Sequence, residues 1–162
     1  MRKLILVLAA GCLIAGAQPA HAVPKSKYFL YFIQKKTLVQ SGQCRTIEKV
    51  MEGASIVLRA VATRFTQQVT YCWGWTKKRG HHLSHVQWST GVWIAPWWDL
   101  IGEYVGLVGQ TEWGGVGQKR AGRWQRGHFK VCVPWLNICQ NTYPWTRVEA
   151  YGRGGYNTDG GT

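Results

Sequence analysis

VTYCWGWTKKRGHHLSHVQWSTGVWI, residues 69–94, carries the clearest structural signal in the chain. Val69, Tyr71, Trp73 and Trp75 alternate with Thr70, Cys72, Gly74 and Thr76, and Val86, Trp88, Thr90, Val92 and Ile94 repeat the two-residue period further on. That period places successive side chains on opposite faces of a strand, and aromatic and β-branched types suit such a surface. Lys77-Lys78-Arg79-Gly80-His81-His82 lies between the two runs. The whole segment reads as an antiparallel hairpin with a long basic tip.

Similar runs flank it. Tyr28–Ile33 reads as a first strand, and Trp97–Val108, interrupted by Gly102 and Gly106, as one or two strands with a bulge. Gly114–Gly117 reads as a loop, with a basic stretch after it as far as Gly127. Phe129, Val131 and Val133 mark another strand that Pro134 should end, and a last strand is expected near Trp145–Tyr151. Residues 46–65 are ambiguous. Ile47, Val50, Met51, Ala54 and Leu58 fall at helical spacing, which favours a short helix near 44–52 and a strand over 55–65. The fold class expected is all-β with minor α: a small secreted antiparallel β-sandwich or barrel with two disulfides and one short helix.

The chain opens on Met1-Arg2-Lys3, an apolar run from Leu4 to Ala17, and Ala20-His21-Ala22. Basic start, apolar middle and A-x-A exit form the pattern of a secretory signal, with cleavage expected after Ala22. A lipoprotein site at Cys12 is the competing reading. Residues 1–22 are thus read as a signal peptide, 23–152 as a single β-rich domain and 153–162 as a flexible Gly-rich tail. The expected location is secreted or periplasmic. After cleavage Cys44, Cys72, Cys132 and Cys139 remain, an even number that in an exported chain implies two bridges. Cys44–Cys72 with Cys132–Cys139 is favoured because both loops are local. No C-x₂₋₄-C spacing points to zinc.

The chain carries 20 Lys and Arg against 7 Asp and Glu, and ten tryptophans. So basic a surface attracts anionic polymers. Trp73, Trp88 and Trp145 sit on apolar strand faces and are expected in the core. Trp97, Trp98, Trp113, Trp124 and Trp135 sit beside proline, glycine or arginine, where an indole can stack on a sugar ring or a base. Lys77, Lys78 and Arg79 form one basic cluster. Arg120, Arg123 and Arg126, with Lys119, form another in QKRAGRWQRG around Trp124. Arginine forks match phosphate and carboxylate oxygens, and lysine adds a point charge. The candidate binding residues are therefore Lys77, Lys78, Arg79, Trp97, Trp98, Trp113, Arg120, Arg123, Trp124 and Arg126.

Catalytic signatures are sparse. No G-x-S-x-G elbow, HExxH or P-loop occurs. Asp99, Glu103 and Glu112 are the carboxylates available for glycoside hydrolysis, and His82, His128 and Lys130 the groups available for ribonuclease-like chemistry. His81, His82, His85 and His128 are the imidazoles available to a metal, but a hairpin tip does not give the geometry. No cofactor is implied. The expectation is a secreted basic, Trp-rich, non-catalytic binding protein for an anionic or carbohydrate polymer of a cell envelope, of the peptidoglycan, teichoic acid or lipopolysaccharide class. The alternatives are a secreted antimicrobial, bacteriocin-like toxin acting at a membrane surface and a secreted ribonuclease-like enzyme, with nucleic acid the less favoured partner.

Overall fold

The hairpin forms as its period requires and becomes the centre of an antiparallel sheet. In a computed structural model, which describes residues 30–55, 59–98, 102–133 and 138–162, β1 (Leu30–Ser41), β2 (Cys44–Ser55), β3 (Val61–Thr76) and β4 (Gly80–Ile94) pair in chain order. A 3₁₀ turn, Pro96–Trp98, leads away from this sheet. The second sheet holds β5 (Gly102–Gly114), β6 (Arg120–Val133), β7 (Ile138–Thr142), β8 (Trp145–Tyr151) and β9 (Tyr156–Gly161). Its order is β5-β6-β8-β9, and β7 pairs with the C-terminal half of β6 beyond the reach of β8. The expected signal peptide, residues 1–22, lies outside the described residues, as do Asp99 and Trp135.

Three segments depart from the sequence reading. The strand expected over 55–65 is instead the junction of two: Ser55 ends β2 and bonds Ala60 and Arg59, and β3 opens at Val61. Residues 44–52 are strand, not helix. Ile47, Lys49 and Met51 point between the sheets in strand alternation, and β2 is paired on both sides, by β1 and by β3. The coincidental helical spacing loses to two complete ladders of hydrogen bonds, and Gly53 and β-branched Thr46, Ile47 and Val50 disfavour helix. Nor is the glycine-rich C-terminus a loose tail: β9 pairs with β8 from Trp145↔Gly161 to Ala150↔Tyr156. The bulges expected after Trp97 fall in β5, where the register shifts at Tyr104/Gly106 and Leu107/Gly109.

The two sheets pack face to face, as in a sandwich. Ile47, Val69, Tyr71 and Leu83 of the first meet Ala121, Val148 and Ala150 of the second. Phe65 meets Phe129 edge-on at 6.4 Å between ring centres. Between these apolar zones lies a polar layer. Gln67 Nε2 donates to the Arg123 carbonyl at 3.0 Å, and Gln125 Nε2 returns a bond to the Thr66 carbonyl at 3.4 Å. Both glutamines are fully buried. Each thus reaches across to the opposite backbone, and a sliding of one sheet over the other would break both bonds. Lys49 is also buried in this layer, with Nζ 2.6 Å from Gln34 Oε1. Burial pushes its ammonium below the ordinary lysine value, against an opposing pull from Asp159.

The disulfides are Cys44–Cys72 and Cys132–Cys139, as expected. Each joins directly opposed residues of neighbouring strands. Such bridges belong to an oxidising compartment, extracellular or periplasmic. Among the described residues no helix is long and apolar enough to cross a membrane. The Cys44–Cys72 bridge spans 28 residues, so the Cys44→Ser/Cys72→Ser variant is expected to lose about 3.5 kcal/mol by the loop-entropy relation. Urea unfolding measures it, and unchanged stability would show that the bridge does not constrain the unfolded chain.

Candidate functional site

In QKRAGRWQRG, Gln118 and Lys119 close the β5–β6 loop. From Arg120 onward the segment is the first half of β6, and strand alternation divides its side chains between two surfaces. Ala121 and Gln125 are buried between the sheets. Arg123 points the same way. It pairs with Glu112 at 2.5 Å and covers the Trp88 ring at 5.2 Å, so it seals the gap between β4 and β5. Arg120, Trp124 and Arg126 occupy the outer face with Gly122.

On that outer face three indoles rest on glycines. A methyl group added at Gly122 would collide with the Trp113 ring. At Gly109 it would lie 2.8 Å from Trp124, and at Gly161 2.8 Å from the Trp145 indole nitrogen. The missing side chains let each indole settle onto the sheet backbone. Trp145, expected in the core, is therefore part of this face. Arg147 lies over the Trp113 ring at 5.4 Å, a cation–π distance. Thr111, Trp113, Trp124 and Arg147 line a shallow cleft of about 370 Å³. Further along, Arg126 covers Tyr143 at 5.1 Å, and His128 stacks on Tyr143 at 4.7 Å while bonding Asn141 at 2.8 Å. Aromatic and basic side chains, with Glu149 among them, thus line the face from Tyr151 to Tyr143, over about 25 Å at the usual rise of a strand.

The orientation of Arg147 is set by Glu149. The carboxylate accepts from Arg147 at 2.7 Å and from the Tyr151 hydroxyl at 2.8 Å. The bond from Arg147, aided by that from Tyr151, outweighs burial and holds the Glu149 carboxyl below its ordinary value of 4.5.

At the Tyr151 end of the track, three turns converge. Leu83 N donates to the Gln118 carbonyl at 2.9 Å and Gly117 N to the Leu83 carbonyl at 2.7 Å, tying β4 to the β5–β6 loop. Gly152 N donates to the Lys119 carbonyl at 2.8 Å, tying the β8–β9 turn to the same loop. The result is a pocket of about 580 Å³ whose lining includes Arg79, Lys119, Arg153, His81, Trp75 and Tyr151. Lys77 and Lys78 stand exposed beside it on the hairpin tip. None of the seven acidic residues lies on the three turns, residues 77–79, 115–119 and 152–155.

Some candidates do not join this surface. Trp98 is only 4% exposed; its ring packs in the core with Leu30, Ala62 and Val131. Trp97 is exposed but sits in the 3₁₀ turn beside Ala62, at the end of the sandwich opposite the hairpin tip. Tyr143, Trp145, Arg147, Tyr151 and Arg153, together with Trp75, were not singled out from sequence as binding residues. The alternation of WTRVEAY (145–151) carries the signal for Trp145, Arg147 and Tyr151, whereas Trp75 and Arg153 are brought in by the meeting of distant turns.

The catalytic groupings are dispersed. His82 lies at the start of β4, whose neighbour Leu83 bonds Gln118, whereas His128 is eight residues further along β6 than Arg120, about 25 Å away at strand rise. Glu103 and Glu112 stand nine positions apart on β5, far beyond the ~5–10 Å of a glycosidase pair. They are engaged with Lys130 and Arg123. Among the described residues no three His, Cys, Asp or Glu side chains form a group that could hold a metal ion. No family model, no curated protein sequence and no solved structure matches this chain, so the reading of the surface rests on its own geometry.

Glu149 gives the surface a pH signature. Its native carboxyl binds a proton less readily than in the unfolded chain, so its contribution to stability is complete above the ordinary carboxylate value and is lost as pH falls through the depressed native one. Urea unfolding between pH 7 and pH 3 is expected to show a shallower acid decline for Glu149→Gln than for the parent. Superimposable declines would contradict the Arg147–Glu149 linkage.

Proposed function

We propose that the protein is an exported, non-catalytic binder of an anionic or sugar polymer of a cell envelope, and that the polymer lies along the outer face of the five-stranded sheet. The observation that carries this reading is the set of Trp113, Trp124 and Trp145, each seated on a glycine and flanked by Arg126 and Arg147. Indoles packed against backbone are already ordered, so little side-chain entropy is lost when a ring stacks on them. Interspersed guanidinium groups reach the anionic substituents of such a chain. The uncompensated charge at the Tyr151 end raises the rate of encounter with a polyanion and sets its direction along the track. An oxidising compartment, to which the two disulfides belong, is where envelope polymers are met.

The experiment is direct binding to purified teichoic acid, lipopolysaccharide and peptidoglycan, followed by intrinsic tryptophan fluorescence. At least one is expected to bind with an affinity that falls steeply between about 50 and about 500 mM salt. Trp124→Ala should weaken that binding about tenfold, the worth of one stacked ring. Gly122→Val keeps a good strand former but displaces the Trp113 ring, and should weaken binding comparably. Failure to bind any of the three, or binding indifferent to both substitutions, would refute the assignment. Leakage from anionic vesicles without polymer binding would instead favour the toxin reading.

A further inference from the structure

The end pocket differs in chemistry from the track. The track offers several rings and a guanidinium already engaged by Glu149. The pocket offers three cations, Arg79, Lys119 and Arg153, each on a different turn, and none of them has an acidic partner among the described residues. Arg79 is drawn inward from the hairpin tip: a methyl group at Gly117 would lie 2.9 Å from its Nη1. Like charges gather in one cavity at an electrostatic cost, here held in place by the backbone bonds among the turns. An anion placed between them removes that cost. Three donors from three directions match a group with three terminal oxygens and close to two negative charges, which is a phosphate monoester rather than a carboxylate or a sulfate ester. The walls add two rings. Trp75 is 63% exposed at the rim, although Val69 and Tyr71 on the same strand are fully buried, and Tyr151 lies opposite on β8. The volume, about 580 Å³, lies within the range of small-molecule sites.

We infer that this pocket is a binding site for a phosphate monoester carried on a saccharide, with Arg79, Lys119 and Arg153 on the phosphoryl oxygens and Trp75 against the sugar ring. The saccharide part rests on the polymer reading above, since the pocket opens where the track begins. A phosphorylated terminal or branch sugar would anchor the polymer there and leave the remainder to run over Trp113 and Trp124. The site takes a free sugar phosphate by the same contacts.

The test is calorimetric titration of the full chain with glucose 1-phosphate, glucose and inorganic phosphate, beside the polymer assay. Glucose 1-phosphate is expected to bind more tightly than inorganic phosphate, and glucose to show no binding. Arg79→Gln and Arg153→Gln should each lower affinity for both phosphates about tenfold, as for loss of a charge-assisted bond. Trp75→Ala should lower affinity for glucose 1-phosphate alone, by about threefold or more. All three side chains sit at turns or the strand end beside them, so the substitutions leave the core intact, and unchanged urea midpoints check this. Trp124→Ala should leave the small-ligand titrations unaltered. Polymer binding that depends on Trp124 with no glucose 1-phosphate binding overturns the pocket and leaves the track standing. Glucose 1-phosphate binding with no polymer binding supports the pocket and removes the track. Equal affinity for the two phosphates, indifferent to Trp75→Ala, overturns the saccharide assignment.

Discussion

The two-residue alternation of β6 is the constraint from which the rest follows. This strand is paired on both sides, and its inward residues Ala121, Gln125, Phe129 and Val131 help fill the core. With those positions fixed, Gly122, Trp124, Arg126 and His128 have no choice but the outer face. A shift of one residue in register would bury Trp124 and Arg126 and expose Phe129. The hydrophobic core therefore holds the surface track in place, with the glycines under its rings and the Glu149 carboxylate beside Arg147 fixing its details.

The relation between the sheets is fixed by a different interaction. Apolar packing alone tolerates small slides, because dispersion contacts are non-directional. The crossed bonds of Gln67 and Gln125 are directional, and leaving either amide unbonded in the interior is costly. Holding the sheets in one relation also holds the β3–β4 tip against the β5–β6 loop and the β8–β9 turn. The end pocket is thus a product of sheet registry, and its cations come from turns far apart in sequence.

Much of the fold was legible in the sequence. The hairpin over residues 69–94, the strand at Trp145–Tyr151 and the bulged β5 follow from period and glycine placement, and four cysteines imply two bridges, of which the structure forms the more local of the three pairings. What misled was local. Residues 44–52 satisfy a helical spacing as well as an alternating one, and only partners on both sides decide between them. The glycines of 152–161 suggest fraying, yet Tyr156 packs against the core and pins β9. The basic QKRAGRWQRG segment gives no strand signal because charged, small and polar residues fall on both of its faces, with no apolar alternation. For the same reason composition groups Arg123 with its neighbours although it faces the other way, and the proline beside Trp98 suggests a surface ring although Gly102 leaves room for it in the core.

The most direct measurement of the central claim is a two-dimensional ¹⁵N NMR titration of the indole N–H signals with the polymer that binds best. The ten tryptophans report separately. If the sheet face is the binding surface, the signals of Trp113, Trp124 and Trp145 move together with added polymer, while those of Trp88 and the buried Trp98 stay fixed. Movement confined to the exposed Trp97, with the three glycine-seated rings silent, would contradict it.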